Sequence, residues 1–326
     1  MGFPSKEQIA PTGSTTKAPA VQKEGFWFHL RRDLKKNPYI YLLLLPVIAY
    51  YLIFMYQPMY GAQIAFKQYS PGKGIWQSSW VGFQHFTNFF NSYYFIRLLR
   101  NTLLLNVYNL AFGFPAPIIL ALLINEVKNS MFKRTVQTVT YLPHFISIVV
   151  ICGIIVDFSS KDGLINTILA GFGVHSIPFL TEPSWFRTIY ISSGIWQEIG
   201  WGSIIYLSAL ASIDPQLYEA CMVDGAGRFK QLWHVTLPGI VPTIIIMFIL
   251  RMGRMMNVGA DKVLLLYNPV TYETADVIST FVYRKGMLES NFSYSTAVGL
   301  FNSVINFSLL IGMNRLSRKF SETSLW

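Results

Sequence analysis

Two long stretches without any charged side chain constrain the fold of this chain more than any other feature. Asn37 to Phe66 contains no Asp, Glu, Lys or Arg, and Asn101 to Asn125 is uncharged over 25 residues. As helices, both are long enough to cross the roughly 30 Å hydrocarbon core of a bilayer. Only 13% of the 326 residues are charged, about half the usual share for a soluble chain. This composition excludes a soluble globular domain and a disordered chain, and it predicts an integral membrane protein.

We predict an all-α fold with six transmembrane helices. The apolar runs place these spans at residues 39–59, 101–125, 135–156, 188–211, 240–260 and 291–314. Residues 1–30 are polar and are predicted to form a flexible cytoplasmic tail. Residues 31–326 are predicted to form the six-span domain, which includes a long polar connection at 212–239.

The distribution of Lys and Arg predicts the orientation of the spans. With the N-terminus inside, the segments on the cytoplasmic side hold 15 of the 26 basic residues and the external loops hold nine. Membrane proteins collect Lys and Arg on the cytoplasmic side, so both termini are predicted to be cytoplasmic. The net charge of +10 is explained by the same bias and does not indicate nucleic-acid binding.

The connection at 212–239 is patterned as a short helix, a glycine turn and a second short helix. Pro215 suits the first turn of the first helix, and Gly225 and Gly227 permit a sharp bend. Phe229 and Trp233 give the second helix an apolar face. Such a pair of helices either docks in the groove of a partner protein or lies on the lipid surface, and the pattern alone leaves both open.

The same connection resembles the EAA signature of ABC importer permeases. The resemblance rests on Glu219-Ala220-Cys221, on Gly225 three residues later, and on the ending Val235 to Pro238. Cys221 departs from the signature, which usually has alanine there. The run from Leu217 to Ala226 is similar to the carbohydrate-importing branch with the maltose-type permeases. Within it, Leu264 to Pro269 and the residues that follow resemble the LplB-like group, whose permeases carry oligosaccharides and polysaccharide fragments.

The resemblance implies a type I ABC importer permease fold and a set of partners. These are a second, homologous permease, two cytoplasmic ATPase subunits, an external or periplasmic solute-binding protein, and an oligosaccharide substrate. It places the protein in the cytoplasmic membrane, surrounded by lipid. The residues that it implies for coupling to the ATPases are Glu219, Ala220, Asp224, Gly225, Ala226, Leu237 and Pro238.

The sequence contains no phosphate-binding loop of the form G-x-x-x-x-G-K-[ST]. ATP and Mg are therefore expected on the partner ATPase subunits, and this chain is expected to be a permease without enzymatic activity or a cofactor of its own. The histidines show no spacing typical of metal ligands, so no metal site is predicted.

Ionisable side chains at membrane depth usually face a cavity or a partner, and they predict the substrate path. Together with neighbouring aromatic and amide side chains, the predicted path comprises Trp196, Gln197, Glu198, Trp201, Arg251, Arg254 and Asn257. The alternative is a structural ion pair between Glu198 and Arg251 that fastens two helices. Arg254 then has no acid nearby, which favours an acidic, uronate-type oligosaccharide as the substrate.

Two other function classes remain as alternatives. An ion-coupled secondary transporter is expected to show inverted repeats, and the two halves of this sequence do not resemble each other. A membrane-embedded glycan or lipid enzyme is expected to show a cluster of acids or histidines at a membrane face, and the sequence shows none.

Overall fold

A computed structural model describes residues 32–256 and 258–320. The chain divides into two compact units, Met1–Tyr60 and Gly61–Trp326. The predicted tail at residues 1–30 lies outside the described residues.

The first unit contains one apolar helical path. Helix α1 (Pro38–Tyr50) continues through a π-helical turn (Tyr51–Tyr56) into the short α2 (Gln57–Met59). Pro38 stands in the first helical turn, where its missing N–H has no intrahelical partner to lose. The Tyr41 hydroxyl donates a hydrogen bond to the Asp33 carboxylate at 3.1 Å, which ties the start of the helix to the residues before it.

In the described part of the second unit, turns and loops connect many helices, and one small hairpin is the sheet. Strands β1 (Lys67–Gln68) and β2 (Ser79–Trp80) pair antiparallel, with Lys67 opposite Trp80. This hairpin is a small departure from the predicted all-α fold. The first six helices of the unit are α3 (Gly74–Gln77), α4 (Gln84–Phe90), α5 (Tyr94–Tyr108), α6 (Pro115–Glu126), α7 (Ser130–Tyr141) and α8 (Ile148–Ser159). The remaining helices are α9 (Leu164–Gly171), α10 (Pro183–Ala211), α11 (Pro215–Val223), α12 (Arg228–Gln231), α13 (Leu237–Met252), α14 (Ala260–Leu266), α15 (Tyr272–Ala275), α16 (Ile278–Tyr283) and α17 (Phe292–Phe320).

Four helical paths among the described residues are long and apolar enough to cross a membrane. They are Pro38–Phe66, Tyr94–Glu126, Arg228–Met252 and Phe292–Leu316. The predicted spans at 39–59 and 101–125 lie within the first two paths, and the span at 291–314 matches the last path to within two residues at either end. The predicted span at 240–260 is displaced, because the helix begins at Arg228 and ends at Met252.

The predicted span at 135–156 is not a single straight helix. The helical segment Ser130–Phe145 and the segment Ile148–Gly171 meet at a bend of 101°. The break follows Pro143, which has no N–H to donate, and Ile146 is extended with ψ 134°. Ser147 then starts α8 as its N-cap, its hydroxyl accepting a hydrogen bond from the Val150 N–H at 3.4 Å.

Helix α10 is the long central element of the second unit. Its 29 residues span about 43 Å at 1.5 Å per residue, and it begins at Pro183, five residues before the predicted start. It packs closely on α7 at Gly200, where a Cβ atom would collide with the Thr140 carbonyl. Arg187, Gln197 and Glu198 make it less apolar than the four paths above.

The core next to the site joins α8, α10 and α14. Ile151 of α8, Tyr190 of α10 and Val263 of α14 belong to one buried cluster. Each of these three helices contributes at least one residue to the wall of the cavity described below.

Candidate functional site

The connection at 212–239, here called the coupling loop, begins with a well-capped helix. The Asp214 carboxylate accepts a hydrogen bond from the Gln216 N–H at 2.9 Å, and Pro215 occupies the first turn of α11 as predicted. Glu219 and Ala220 are exposed on this helix, and Glu219 makes no ion pair with a described residue. The glutamate is therefore available to a partner.

The loop turns sharply at Gly225. Its φ is +72°, the left-handed conformation that favours glycine. The Gly225 N–H donates to the Met222 carbonyl at 3.1 Å, and the Ala226 N–H donates to the Cys221 carbonyl at 2.8 Å. These two bonds close the end of α11 at its C-cap Asp224. Gly227 has φ −70° and ψ 170°, which any residue can adopt, so of the two glycines only Gly225 needs the conformational freedom of glycine in this bend.

The pattern predicts a second, separate short helix, but the second half of the loop differs from this prediction. It runs from α12 through a π-helical turn (Leu232–Thr236) directly into α13, whose first residues are Leu237 and Pro238. Phe229 and Trp233 are 79% and 63% exposed, so the apolar face faces outward from the unit. This face and the exposed glutamate form a surface suited to a protein groove.

One contact holds the two halves of the loop together, and another links the loop to α6. The Tyr218 hydroxyl and the Thr236 hydroxyl are 3.1 Å apart and hydrogen-bonded, which joins α11 to the base of α13. Arg228 lies 3.9 Å from the Glu126 carboxylate at the end of α6. The loop is thus in contact with α6 and continuous with α13.

A cavity of about 650 Å³ lies between α6, α10 and α13. Four of the residues assigned to the substrate path from the sequence line this cavity: Gln197 and Glu198 of α10, Arg251 of α13, and Arg254. Asn257 lies outside the described residues. The size suits part of a sugar chain.

The predicted tryptophans do not line this cavity. Trp196 and Trp201 are 46% and 44% exposed on other faces of α10. Trp201 stacks on the His144 ring, with ring centroids 4.5 Å apart and an interplanar angle of 2°. Trp196 is two positions before Glu198 and therefore lies on the opposite side of the helix, whereas Trp201 contacts the His144 ring instead of the cavity.

The proposed structural pair between Glu198 and Arg251 is wrong. The carboxylate of Glu198 lies 3.1 Å from His144 Nδ1, and no ion pair joins it to Arg251. His144 stands in the 3₁₀ turn Leu142–Phe145, which the break after Pro143 brings beside α10. Sequence reasoning placed this histidine inside a continuous helix and so missed the contact.

Both cavity arginines lack an acidic partner among the described residues. Arg251 is in the last turn of α13, whereas Arg254 lies in the turn after the helix ends. The predicted span at 240–260 would place both arginines on one helix, but only Arg251 is on α13. Both nevertheless line the cavity. Their charges are available to whatever the cavity holds.

Two further charged residues at the cavity come from α14. Asp261 and Lys262 both line the cavity, and neither was included in the predicted substrate path. Lys262 is only 7% exposed. The available signal was the charged pair Asp261 and Lys262 at the start of a helix whose remaining residues are apolar.

A second charged cluster lies away from the cavity. Asp276 is fully buried and binds Arg284 through both guanidinium nitrogens, at 2.6 and 3.2 Å, and Arg97 lies at 3.5 Å. Burial alone lowers the pKa of Arg284, but the hydrogen bonds and charge of Asp276 raise that pKa above its usual value. Arg284 and Asp276 therefore remain charged and paired. Through Arg97, the same carboxylate links the residues around α16 to the start of α5.

Comparison with known proteins identifies a family and close relatives for this chain. Residues 113–322 match the family described as the binding-protein-dependent transport system inner membrane component. Two relatives come from Bacillus subtilis (strain 168). Protein LplB is 47% identical and covers 90% of this chain and 92% of its own length. The polygalacturonan/rhamnogalacturonan transport system permease protein YteP is 44% identical, with coverage of 95% and 98%.

Two solved structures are similar in sequence and fold. One is a bacterial ABC transporter involved in the import of the acidic polysaccharide alginate, with a chain 48% identical, a TM-score of 0.83, and coverage of 89% of this chain and 99% of that one. The other is a bacterial alginate ABC transporter in complex with an alginate pentasaccharide-bound periplasmic protein, with 47% identity, a TM-score of 0.85, and coverage of 91% and 100%. The family match spans more than half of the chain. This chain therefore belongs to the binding-protein-dependent transport system inner membrane components, the permease subunits of ABC importers.

Proposed function

We propose that this permease carries acidic oligosaccharides of the uronate type across the cytoplasmic (inner) membrane. In the proposed complex it pairs with a second permease, and two ATPase subunits hold ATP and Mg. An external solute-binding protein delivers the sugar. The names of the relatives support this assignment: YteP is a polygalacturonan/rhamnogalacturonan permease, and the alginate transporter was solved with a pentasaccharide-bound periplasmic protein.

We further propose six spans with both termini cytoplasmic. Four apolar paths, the bent pair at 130–171 and the long helix α10 together supply six candidate crossings. The excess of Lys and Arg in the segments at 1–38, 125–136, 212–239 and 315–326 supports the orientation. The coupling loop then lies on the cytoplasmic side, where ATPase subunits are found.

The charge balance of the cavity is the observation that carries the acidic substrate. Its wall holds three cations, Arg251, Arg254 and Lys262, against two acids. One of those acids, Glu198, is already engaged by His144. None of the three cations forms an ion pair with a described acid, so an anionic substrate would supply the counter-charge that the wall lacks.

The coupling loop supplies the link to ATP hydrolysis. We propose that the turn at Gly225 enters a groove of the ATPase and that Glu219 pairs with a basic residue there. The exposed Phe229 and Trp233 add apolar contact area. Closure of the ATPase dimer then moves α13 and α6 through the contacts of Tyr218 and Arg228.

Replacing Arg254 tests the acidic-substrate proposal. In proteoliposomes with the complete importer, Arg254→Gln is expected to lower the ratio of acidic to neutral oligosaccharide uptake by about tenfold, the effect of one lost charged hydrogen bond. Lys161→Gln removes an exposed charge outside the cavity and is the control, expected to leave the ratio unchanged. An unchanged ratio in Arg254→Gln would contradict the proposal.

A further inference from the structure

Lys262 presents a buried ammonium group to the cavity. The residue is 7% exposed and belongs to the cavity wall. Its Nζ donates a hydrogen bond to the Tyr190 carbonyl at 3.1 Å and lies 4.9 Å from the centroid of the Tyr190 ring. The group is thus held in place at the wall by α10.

Packing on both sides fixes the direction of this side chain. Val263 and Leu266 of α14 are buried in the core cluster that also contains Tyr190, so the helix cannot rotate without exposing them. Opposite the ammonium stands Gly194, where an added Cβ would lie 3.4 Å from Nζ and would meet nothing else within 4 Å. The absent side chain at Gly194 leaves the ammonium uncovered.

The ammonium has no carboxylate partner in the described part of the chain. No acid lies within 4.0 Å of Nζ, and the Glu198 carboxylate is bound to His144. Asp261 also lines the cavity but makes no ion pair with a described cation. An ammonium has three protons, and one acceptor is present for them. A buried cation with spare donors and open space in front of it is suited to bind an anion.

We propose that Lys262 binds a carboxylate of the passing sugar chain and thereby sets the preference of the permease for acidic over neutral sugars. This inference rests on the proposed function, because it assigns a residue to the recognition of the acidic substrate. The competing role is structural, in which Lys262 only fastens α14 to α10 through Tyr190.

The test compares a uronate oligosaccharide with the same oligosaccharide after methyl esterification of its carboxylates. The complete importer is reconstituted with wild-type permease, with Lys262→Met and with Lys262→Arg, and ATP-driven uptake of both sugars is measured. The same binding protein delivers both sugars to every variant, so its own preference cancels when the acid-to-ester ratios are compared. Methionine keeps the length of the side chain and removes its charge, whereas arginine keeps the charge.

We expect Lys262→Met to lower the acid-to-ester ratio about tenfold and Lys262→Arg to hold it within about twofold of wild type. A purely structural role predicts that uptake of both sugars falls together with the ratio unchanged, and this result would overturn the inference. If wild type shows no ATP-driven uptake of the uronate at all, the proposed function itself fails. An unchanged ratio in Lys262→Met beside active wild-type uptake removes Lys262 alone.

A second variant covers the case in which Lys262→Met does not assemble. Gly194→Ala retains the lysine and places a methyl group in contact with its Nζ, which partly covers the ammonium. The acid-to-ester ratio is expected to fall in this variant too, by a smaller factor than in Lys262→Met. A ratio equal to that of wild type would contradict the proposed role.

Discussion

Replacing Gly225 by valine isolates the contribution of backbone conformation to ATPase coupling. The residue has φ +72°, and a Cβ built there meets no atom within 4 Å. The cost of a side chain in the free permease is therefore conformational rather than steric. A left-handed conformation costs an L-residue about 1–2 kcal/mol, and a β-branched residue lies at the upper end. Such a cost lowers the population of the native turn by about 5- to 30-fold.

If the ATPase binds only the native turn, its affinity falls by the same factor. We therefore expect Gly225→Val to weaken ATPase binding to the reconstituted permease by about 5- to 30-fold or more. Gly225→Asn is expected to lose less, because asparagine tolerates the left-handed region. Titration of purified ATPase onto nanodiscs that contain the permease pair gives the affinity, and stimulated ATP hydrolysis reports coupling.

Gly227→Ala is the matched control. Gly227 has φ −70° and ψ 170°, a conformation open to any residue, and it has free space around it. Affinity equal to wild type in Gly225→Val would refute the role assigned to the turn. An equally large loss in Gly227→Ala would show that added bulk in the ATPase groove, rather than backbone conformation, causes the effect.

The remaining predictions concern stability and orientation. Asp276→Asn leaves the Arg284 guanidinium without its buried acid and is expected to destabilise the permease by about 3–5 kcal/mol; an unchanged thermal unfolding midpoint in detergent would contradict this. Gly200→Val drives a side chain into the Thr140 carbonyl and is expected to reduce the yield of folded permease, whereas a normal yield would show that the close helix contact can relax. In a variant without native cysteines, Gly227→Cys is expected to react with a membrane-impermeant thiol reagent only from the cytoplasmic side. Labelling from outside would reverse the proposed topology.

Features fixed by local sequence were predicted well. The capped start at Pro215 follows from residues within one helical turn, and so does the left-handed conformation of Gly225. The three spans centred on long apolar runs were found near their predicted positions, because a continuous helix satisfies its own backbone hydrogen bonds. These features could be predicted because they depend only on residues that are close in the sequence.

Features decided by tertiary contacts were predicted poorly. The partner of Glu198 is 54 residues away, and hydropathy gives no sign of the bend that brings His144 to it. Pro143 marked that bend but was placed inside an apolar run that is otherwise typical of a span. Lys262 was missed for a similar reason, because its burial depends on packing between α14 and α10. Charged residues in short helices next to a span should therefore be considered as candidate site residues, as those within the span are.

One comparison of uptake tests most directly whether the cavity carries acidic sugars. Proteoliposomes with wild-type permease, its partner permease and the ATPases receive saturating binding protein loaded with a uronate pentasaccharide or with a neutral pentasaccharide. Delivery is then equal, and the ATP-driven uptake rates compare passage through the membrane alone. The cationic wall of Arg251, Arg254 and Lys262 predicts faster uptake of the uronate. Equal rates, or faster uptake of the neutral sugar, would contradict the account.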